Sequence, residues 1–205
     1  SIRLGGDPYL TSGTARLRLQ RALGPGERLV GFVDGEIGYE DFSDVDRAPF
    51  ADEQDGRVLR AGGGLRYTPI DRLTLEGRYL FTDKDADEAF EAYQSHYLGL
   101  ETRLVAAPGV YLSARASYVH RAYDAPDPFV PRTERREDDE FEVGAGVGVT
   151  ADRIARSTGL DLPGVLRDNL IFSVNGSYRT VRSNQPNFEH DNLRIEFAVT
   201  KRFLF

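Results

Sequence analysis

Apolar and polar residues alternate along most of this chain. The clearest run is near the C-terminus, where Leu193, Ile195 and Phe197 share one parity and Arg194 and Glu196 share the other. Because successive side chains of a β-strand point to opposite faces, this alternation predicts strands with one apolar and one polar face. The pattern recurs and predicts nine strands, at 13–22, 27–40, 56–67, 72–82, 92–105, 109–121, 140–150, 168–181 and 192–205.

The predicted strands are long. They run for about 10–14 residues, whereas strands of globular sheets have a typical length of about 5–6 residues. A strand that crosses a bilayer at a tilt needs about 9–11 residues. The lengths therefore favour strands that span a membrane and project slightly beyond it.

The connections between the predicted strands alternate in length. Short segments with Pro or Gly at the bend follow the first, third and fifth strands, at 24–26, 68–71 and 106–108. Most other connections are long and acidic, at 41–55, 83–91, 122–140 and 183–191. Short turns at one end and long loops at the other are typical of outer-membrane barrels, which have short periplasmic turns and longer extracellular loops.

Composition excludes several functional classes. The 205 residues contain no Cys, which excludes disulfide frameworks, thiol catalysis and Cys-ligated zinc. A net charge of −7 argues against nucleic-acid binding, so we expect no nucleic-acid partner. The sequence has no Met, and we expect a processed protein or a part of a longer one. The sequence contains no run of about 18 apolar residues and so predicts no transmembrane helix. This does not exclude a membrane β-barrel.

Period-two alternation does not say which face points inward. A lipocalin-like soluble barrel has an apolar interior that binds an apolar ligand, whereas a membrane barrel has an apolar exterior. Mixed charges on the polar parity and a final strand ending in Phe205 favour the membrane. Aromatic residues near strand ends also fit the girdles at a membrane interface. The predicted girdle consists of Tyr39, Tyr67, Tyr79, Phe81, Tyr118, Tyr178, Phe203 and Phe205.

We therefore predict an all-β protein, a single domain over 1–205 that forms an antiparallel up-and-down transmembrane β-barrel. It would lie in the outer membrane of a Gram-negative bacterium, with outer-membrane lipids as partners. Nine strands is an odd number, and bacterial single-chain barrels have even numbers. Residues 1–4 therefore suggest the tail of a tenth strand, or the chain forms the C-terminal part of a larger barrel.

The last forty residues carry a family resemblance. The segments 167–170, 177–179, 183–188, 191–194 and 200–203 follow one another along the final predicted hairpin. They resemble two outer-membrane families, the β-barrel porins associated with exopolysaccharide export and the barrel of surface lipoprotein assembly modifiers. The resemblance implies export of polysaccharide as the first expectation and delivery of surface lipoproteins as the second. Neither family implies catalytic residues.

Arg and Glu residues on the polar parity are the main candidate site. We predict that eleven of them line the lumen: Arg60, Arg66, Glu76, Arg78, Glu101, Arg103, Arg115, Glu142, Arg179, Arg194 and Glu196. In a narrow barrel such residues would pair across strands and fill the interior. In a wider barrel they would line water and bias the passage of ions or polymers. Counting every lumen parity position, Arg residues outnumber acids, which favours anions slightly.

Residues 151–167 interrupt the short-turn side. Ile154, Leu160, Leu162, Val165 and Leu166 make this connection too apolar for a solvated turn. It would either plug the mouth of the barrel or dock a periplasmic partner. The second role goes with an alternative function, in which the barrel is a structural anchor for a periplasmic complex.

We expect no enzymatic activity, no cofactor and no metal site. The three His residues are His96, His120 and His190, and an acyl-transfer site would need Ser, His and an acid at one rim. His120 is near Asp124 and Asp127 in sequence, but a loop this acidic produces such pairs without a catalytic purpose. The segment from Asp83 begins like a calcium loop but lacks the Gly and Glu that an EF-hand requires.

Overall fold

A computed structural model describes residues 2–4, 7–44, 51–130, 133–161, 163 and 170–201. The described residues form ten β-strands and one α-helix, α1, at Ala151–Thr158. Within these ranges, no helix is both long and apolar enough to cross a membrane. The strands are β1 (Ile2–Leu4), β2 (Asp7–Ala22), β3 (Leu29–Phe42), β4 (Gly56–Ile70), β5 (Leu73–Ala86), β6 (Tyr93–Ala107), β7 (Val110–Tyr123), β8 (Glu137–Thr150), β9 (Leu170–Ser183) and β10 (His190–Lys201).

All ten strands belong to one antiparallel sheet, and their order in the sheet is their order in the chain. This confirms the predicted fold class, an all-β, antiparallel up-and-down sheet of the β-barrel type. The nine predicted strands correspond to β2–β10. β1 is the short additional strand, paired with the start of β2, and β1 and β10 lie at the two edges of the sheet.

The sheet has a turn end and a loop end. At the turn end, Gly26 and Gly109 adopt left-handed backbone conformations, with φ of 74° and 78°, which glycine tolerates best. Short 3-10 helices occur in the β2–β3 turn, at Pro25–Glu27, and in two of the connections at the loop end, at Ala51–Gln54 and Pro186–Phe188. Helix α1 lies at the turn end, where the Thr150 side chain accepts a hydrogen bond from the backbone N–H of Arg153.

Several predicted strand ends at the loop end are wrong. β5 continues through Asp83, Lys84 and Asp85, and β8 begins at Glu137, although the sequence analysis assigned both segments to acidic loops. Charged residues stay in a strand where its neighbours continue the hydrogen-bonded ladder, and here the neighbouring strands do so. The strands therefore extend further beyond the apolar alternation at this end than the sequence predicts.

Neighbouring strands are staggered, each shifted along its length relative to the one before it. Residues paired from strand to strand connect Arg18, near the turn end of β2, with His190, the first residue of β10 at the loop end. The register therefore shifts by about one residue per strand, which corresponds to a tilt of roughly 40°. This tilt is in the range that closed β-barrels adopt.

The sheet curls toward its polar face. Side chains of β3 and β5, which are separated by β4, meet on this face: Arg78 contacts Asp34 at 3.1 Å and Lys84 contacts Glu40 at 3.1 Å. We call the polar face the inner face and the opposite one the outer face.

Glycines on the inner face accommodate aromatic rings. A Cβ atom added at Gly64 would meet the Phe32 ring and the backbone oxygen of Gly77, and one added at Gly99 would meet the Tyr97 ring. Both rings therefore lie against the sheet, and a residue larger than glycine at position 64 or 99 would hold the ring away from the sheet. The sequence pattern places glycines on this parity but does not show which aromatic ring each one accommodates.

Substituting Gly64 tests this packing. We expect Gly64→Ala to destabilise the folded protein by about 1–3 kcal/mol, because the added methyl group overlaps backbone as well as the Phe32 ring. Gly35→Ala is the matched control, since a Cβ there meets nothing within 4 Å. Equilibrium unfolding in urea measures both, and equal midpoints for the two variants would contradict this account.

Candidate functional site

Asp34 is the centre of a charge cluster on the inner face. Its carboxylate contacts Arg18 at 2.6 Å, Arg78 at 3.1 Å and Arg16 at 3.6 Å. Only 3% of the Asp34 side chain is exposed, because the three guanidinium groups cover it. Arg18 also lies 4.4 Å above the Phe32 ring. One acid is thus shared by three cations, two from β2 and one from β5, which leaves this part of the face positively charged.

Further ion pairs continue this network towards the loop end. Arg60 contacts both Glu36 and Glu40, and Glu40 also pairs with Lys84. Lys84 is buried and lies 5.0 Å above the Phe42 ring. Towards the turn end, Arg66 pairs with Glu76 at 2.9 Å. The inner face of β2–β5 is therefore filled by long charged side chains.

The inner face of β6–β10 is more open. Its ion pairs include Arg103–Glu101, Arg115–Glu142, Arg179–Glu140 and Arg194–Glu196, at 2.6–2.7 Å. Between them lie small residues such as Ser113, Gly144, Gly146, Asn175 and Ser177. Because these side chains are small, the space above the sheet is deeper on β6–β10 than on β2–β5, where long charged side chains fill it.

A continuous groove follows these small residues. It consists of three cavities of about 340, 310 and 440 Å³ in order from the loop end to the turn end. Glu101 and Arg115 line both the first and the second cavity, and Ser113 and Asn175 line both the second and the third. Hydroxyl, amide and paired charged groups therefore line one path along the strands.

All eleven residues that we predicted to line the lumen lie on the inner face, as the register and the ion pairs place them. Their contact with a passing solute stays a prediction. The sequence analysis missed Lys84, Asp138 and Glu140, because it assigned the first two to loops and did not count the third, at a strand start. It also assigned 137–139 to a long acidic connection, whereas the Asp138 side chain is 3% exposed and pairs with Arg136.

The outer face is apolar and exposed. Large side chains on every strand from β2 to β10 are exposed there, among them Leu17, Val33, Leu65, Leu75, Leu100, Leu112, Val147, Val174 and Phe197. An exposed apolar surface this extensive is unusual for a monomer in water and marks contact with an apolar surrounding.

Aromatic residues of the predicted girdle lie on this outer face. Tyr39, Tyr67, Tyr79, Tyr118 and Tyr178 are 40–50% exposed, and Phe81 contacts the His96 ring at 5.4 Å between centroids. Phe203 and Phe205 lie outside the described residues. The girdle role of these residues stays a prediction.

Polar groups accompany the tyrosines at the loop end of the outer face. The Tyr118 hydroxyl donates to Asp139 at 2.5 Å, and His120 contacts the same carboxylate at 3.0 Å. Tyr79 and His96 are hydrogen-bonded at 2.8 Å. His120 thus pairs with Asp139 on the next strand, a register contact that the sequence analysis did not find.

The connections at the loop end pack against one another, and we call them the loop cap (51–55, 87–92, 124–130, 133–136 and 184–189). Backbone hydrogen bonds join neighbouring connections, from Asp87 to Asp55 at 2.7 Å and from Asp124 to Ala92 at 3.0 Å. The Gln185 side chain, fully buried, donates to the backbone oxygen of Glu134 at 3.3 Å. The long acidic connections are therefore packed together here.

Helix α1 occupies the start of the 151–167 segment. Ala151 and Ala155 are buried, while Leu160 is 56% exposed. Leu162, Val165 and Leu166 lie outside the described residues. The apolar character that we noted in this segment thus belongs partly to a helix with a buried side. Neither predicted role of the segment is tested by this arrangement.

Among the described residues, no group of three or more His, Asp or Glu side chains is placed to hold a metal ion.

Comparison with known proteins adds little to the geometry. No family model matches the sequence, and no curated protein is similar to it. The structure is similar to the crystal structure of OccAB3 from Acinetobacter baumannii, with 11% sequence identity and a TM-score of 0.49. The match covers 93% of this chain and 48% of that chain, so this chain spans about half the length of OccAB3. The sheet itself defines the class, an up-and-down β-barrel fold with a charged inner face.

Replacing Asp34 tests the charge cluster. We expect Asp34→Asn to cost about 2–3 kcal/mol of stability, because three guanidinium groups lose their shared carboxylate. Glu101→Gln is the control and should cost less than about 1 kcal/mol, since its partner Arg103 is largely exposed. Urea unfolding distinguishes the two, and a neutral Asp34→Asn variant would contradict the central role of this carboxylate.

The loop cap gives a prediction about pH. Burial raises the pKa of the Glu91 carboxyl, although Arg136 and Lys84 nearby act in the opposite direction. A raised folded-state pKa means that the protonated form is favoured by folding. The contribution of Glu91 to the stability of the cap should therefore be most favourable at low pH and fall as the pH rises through the unfolded and then the folded pKa of Glu91.

Hydrogen exchange of the backbone amides in 87–92, corrected for intrinsic rates, measures this effect. Glu91→Gln should reduce this fall in protection with rising pH, whereas Glu189→Gln in the β9–β10 connection should leave it unchanged. Part of the fall should remain in Glu91→Gln, because the pKa of Glu53 in the same cap is also raised. A pH profile that is the same in Glu91→Gln as in the unmodified protein would show that another group is responsible.

Proposed function

We propose that this sheet forms the wall of an outer-membrane β-barrel in a Gram-negative bacterium and that its inner face lines a polar passage. The observation that carries the proposal is the exposed apolar outer face opposite a charged inner face. Water on both sides would leave the outer face without an apolar surrounding, whereas lipid on one side provides it.

The dimensions of the outer face support this location. On β4 the outward apolar positions extend from Leu59 to Tyr67, and at a tilt of roughly 40° this length corresponds to a band about 20 Å tall. Outer-membrane barrels have an apolar band of about 25 Å flanked by aromatic residues. The tyrosines at the loop end, with their Asp and His partners, fit the boundary between lipid and water.

The groove on the inner face favours a polysaccharide as the transported material. Sugars carry many hydroxyl groups, and the groove offers Ser and Asn side chains together with paired charges along its length. Export of polysaccharide is therefore our first proposal, and delivery of surface lipoproteins, which the family resemblance also implies, is the second. Helical repeats in the same protein would favour the second.

A structural anchor for a periplasmic complex is the alternative. Two observations support it: the loop cap is packed together at one end of the sheet, and α1 with the exposed Leu160 lies at the other end. A soluble barrel that binds an apolar ligand would need an apolar inner face, and here that face carries the ion pairs.

A single substitution on the outer face tests the location. We expect Leu100→Arg to destabilise the lipid-inserted protein by about 2–4 kcal/mol, because Leu100 is 67% exposed in the middle of the apolar band. Thr11→Arg, on the same face but beyond Tyr39 at the loop end, should be nearly neutral. The measurement is urea unfolding from lipid vesicles. A harmless Leu100→Arg would contradict the membrane location.

Passage itself is tested by electrical recording. The protein, folded in detergent, should show a heat-dependent shift in gel mobility and, in planar bilayers, ion conductance that a soluble neutral polysaccharide reduces. A heat-dependent shift without conductance would favour the anchor. The absence of both would remove the barrel proposal altogether.

A further inference from the structure

A small cavity lies on the inner face just below the loop cap. It has a volume of about 50 Å³ and is lined by side chains from β7, β8, β9 and the start of β10. Its charged lining consists of Arg121, Arg136, Arg179, Asp138 and Glu140. Val119 and Val181 complete the wall with His190, whose Nδ1 lies 3.1 Å from the backbone oxygen of Phe188.

The charges of the side chains that line this cavity do not cancel. Arg136 is neutralised by Asp138 through two hydrogen bonds, at 2.6 and 3.1 Å, and Arg179 by Glu140 at 2.6 Å. Arg121 has no carboxylate oxygen within 4.0 Å among the described residues, and its guanidinium reaches only the Tyr123 hydroxyl, at 3.4 Å. Three guanidinium groups therefore face two carboxylates, and Arg121 supplies the excess positive charge.

Two buried donors also lack a protein acceptor. The Nε–H groups of Arg121 and Arg179 are buried, and neither has a hydrogen-bond partner among the described residues. A buried donor without an acceptor costs free energy, and both residues line the same cavity. An acceptor with negative charge would satisfy the donors and balance Arg121 at once.

Aromatic rings hold the cations in place before any ligand binds. Arg121 lies 4.7 Å above the Tyr93 ring, and the Tyr93 and Tyr123 rings are 5.5 Å apart. Arg136 lies between Tyr123, at 4.4 Å, and Phe188, at 3.5 Å. Cations and rings thus form one stack from β7 to the β9–β10 connection. Because the stack already orders the Arg side chains, binding of an anion would cost them less conformational entropy.

We propose that this cavity binds one small inorganic anion, of the size of chloride, between Arg121 and Arg179. A volume of about 50 Å³ is sufficient for a monatomic anion. The anion links β7 and β9 below the loop cap. The site adjoins the loop end of the groove, with which it shares Val119 and Glu140, but it does not rest on the proposed passage of polysaccharide.

Chloride binding is measured directly by the line width of the ³⁵Cl resonance, with the full chain folded in detergent and chloride as the probe. We expect saturable broadening that bromide displaces. Arg121→Gln should weaken binding by about tenfold or more, because it removes the charge and the Nε donor. Arg121→Lys, which keeps the charge but not the planar donor pair, should restore part of the affinity.

Arg103→Gln is the matched control. Arg103 is also on the inner face, but it pairs with Glu101 and its side chain is 72% exposed. It should bind chloride like the unmodified protein, and the heat-dependent gel shift checks that every variant is folded. Broadening that is absent, or unchanged in folded Arg121→Gln, would overturn the site. The assay needs no membrane, so a protein that conducts ions without binding chloride would refute only this inference.

Discussion

The pleat of a β-strand forces successive side chains onto opposite faces, and the rest of this structure depends on that constraint. Nine consecutive long strands place apolar side chains on one face and charged side chains on the other. No single solvent suits both faces. The sheet therefore needs an apolar surrounding outside and polar partners inside, and the ion pairs of the inner face supply those partners.

The inner face meets this need in two different ways. Around Asp34, long charged side chains cover one another, so that a carboxylate is almost fully buried without an apolar core. On β7–β9, glycine, serine and asparagine leave the wall bare, and charged pairs are spaced along a groove. Residue size, more than charge, thus decides where the inner face is filled and where it is open.

Period-two alternation predicts the strands, their antiparallel order and the short turns, because these follow from local pattern and chain length. It fails at the loop end, where Asp85 and Glu137 continue strands through hydrogen bonds to neighbours that the sequence does not reveal. The Asp34 cluster and the aromatic–cation stack below the loop cap were also not predictable. Each joins residues from three or more segments, and their contacts depend on the register and curl of the whole sheet.

The directions of β2 and β10 have a consequence for closure. β2 and β10 both run from the loop end to the turn end, so direct contact between them would be a parallel pairing in an otherwise antiparallel wall. β1 runs the opposite way and covers only the first residues of β2. If the barrel is to close with antiparallel pairs only, the number of strands between β10 and β2 has to be odd, and β1 is counted among those strands.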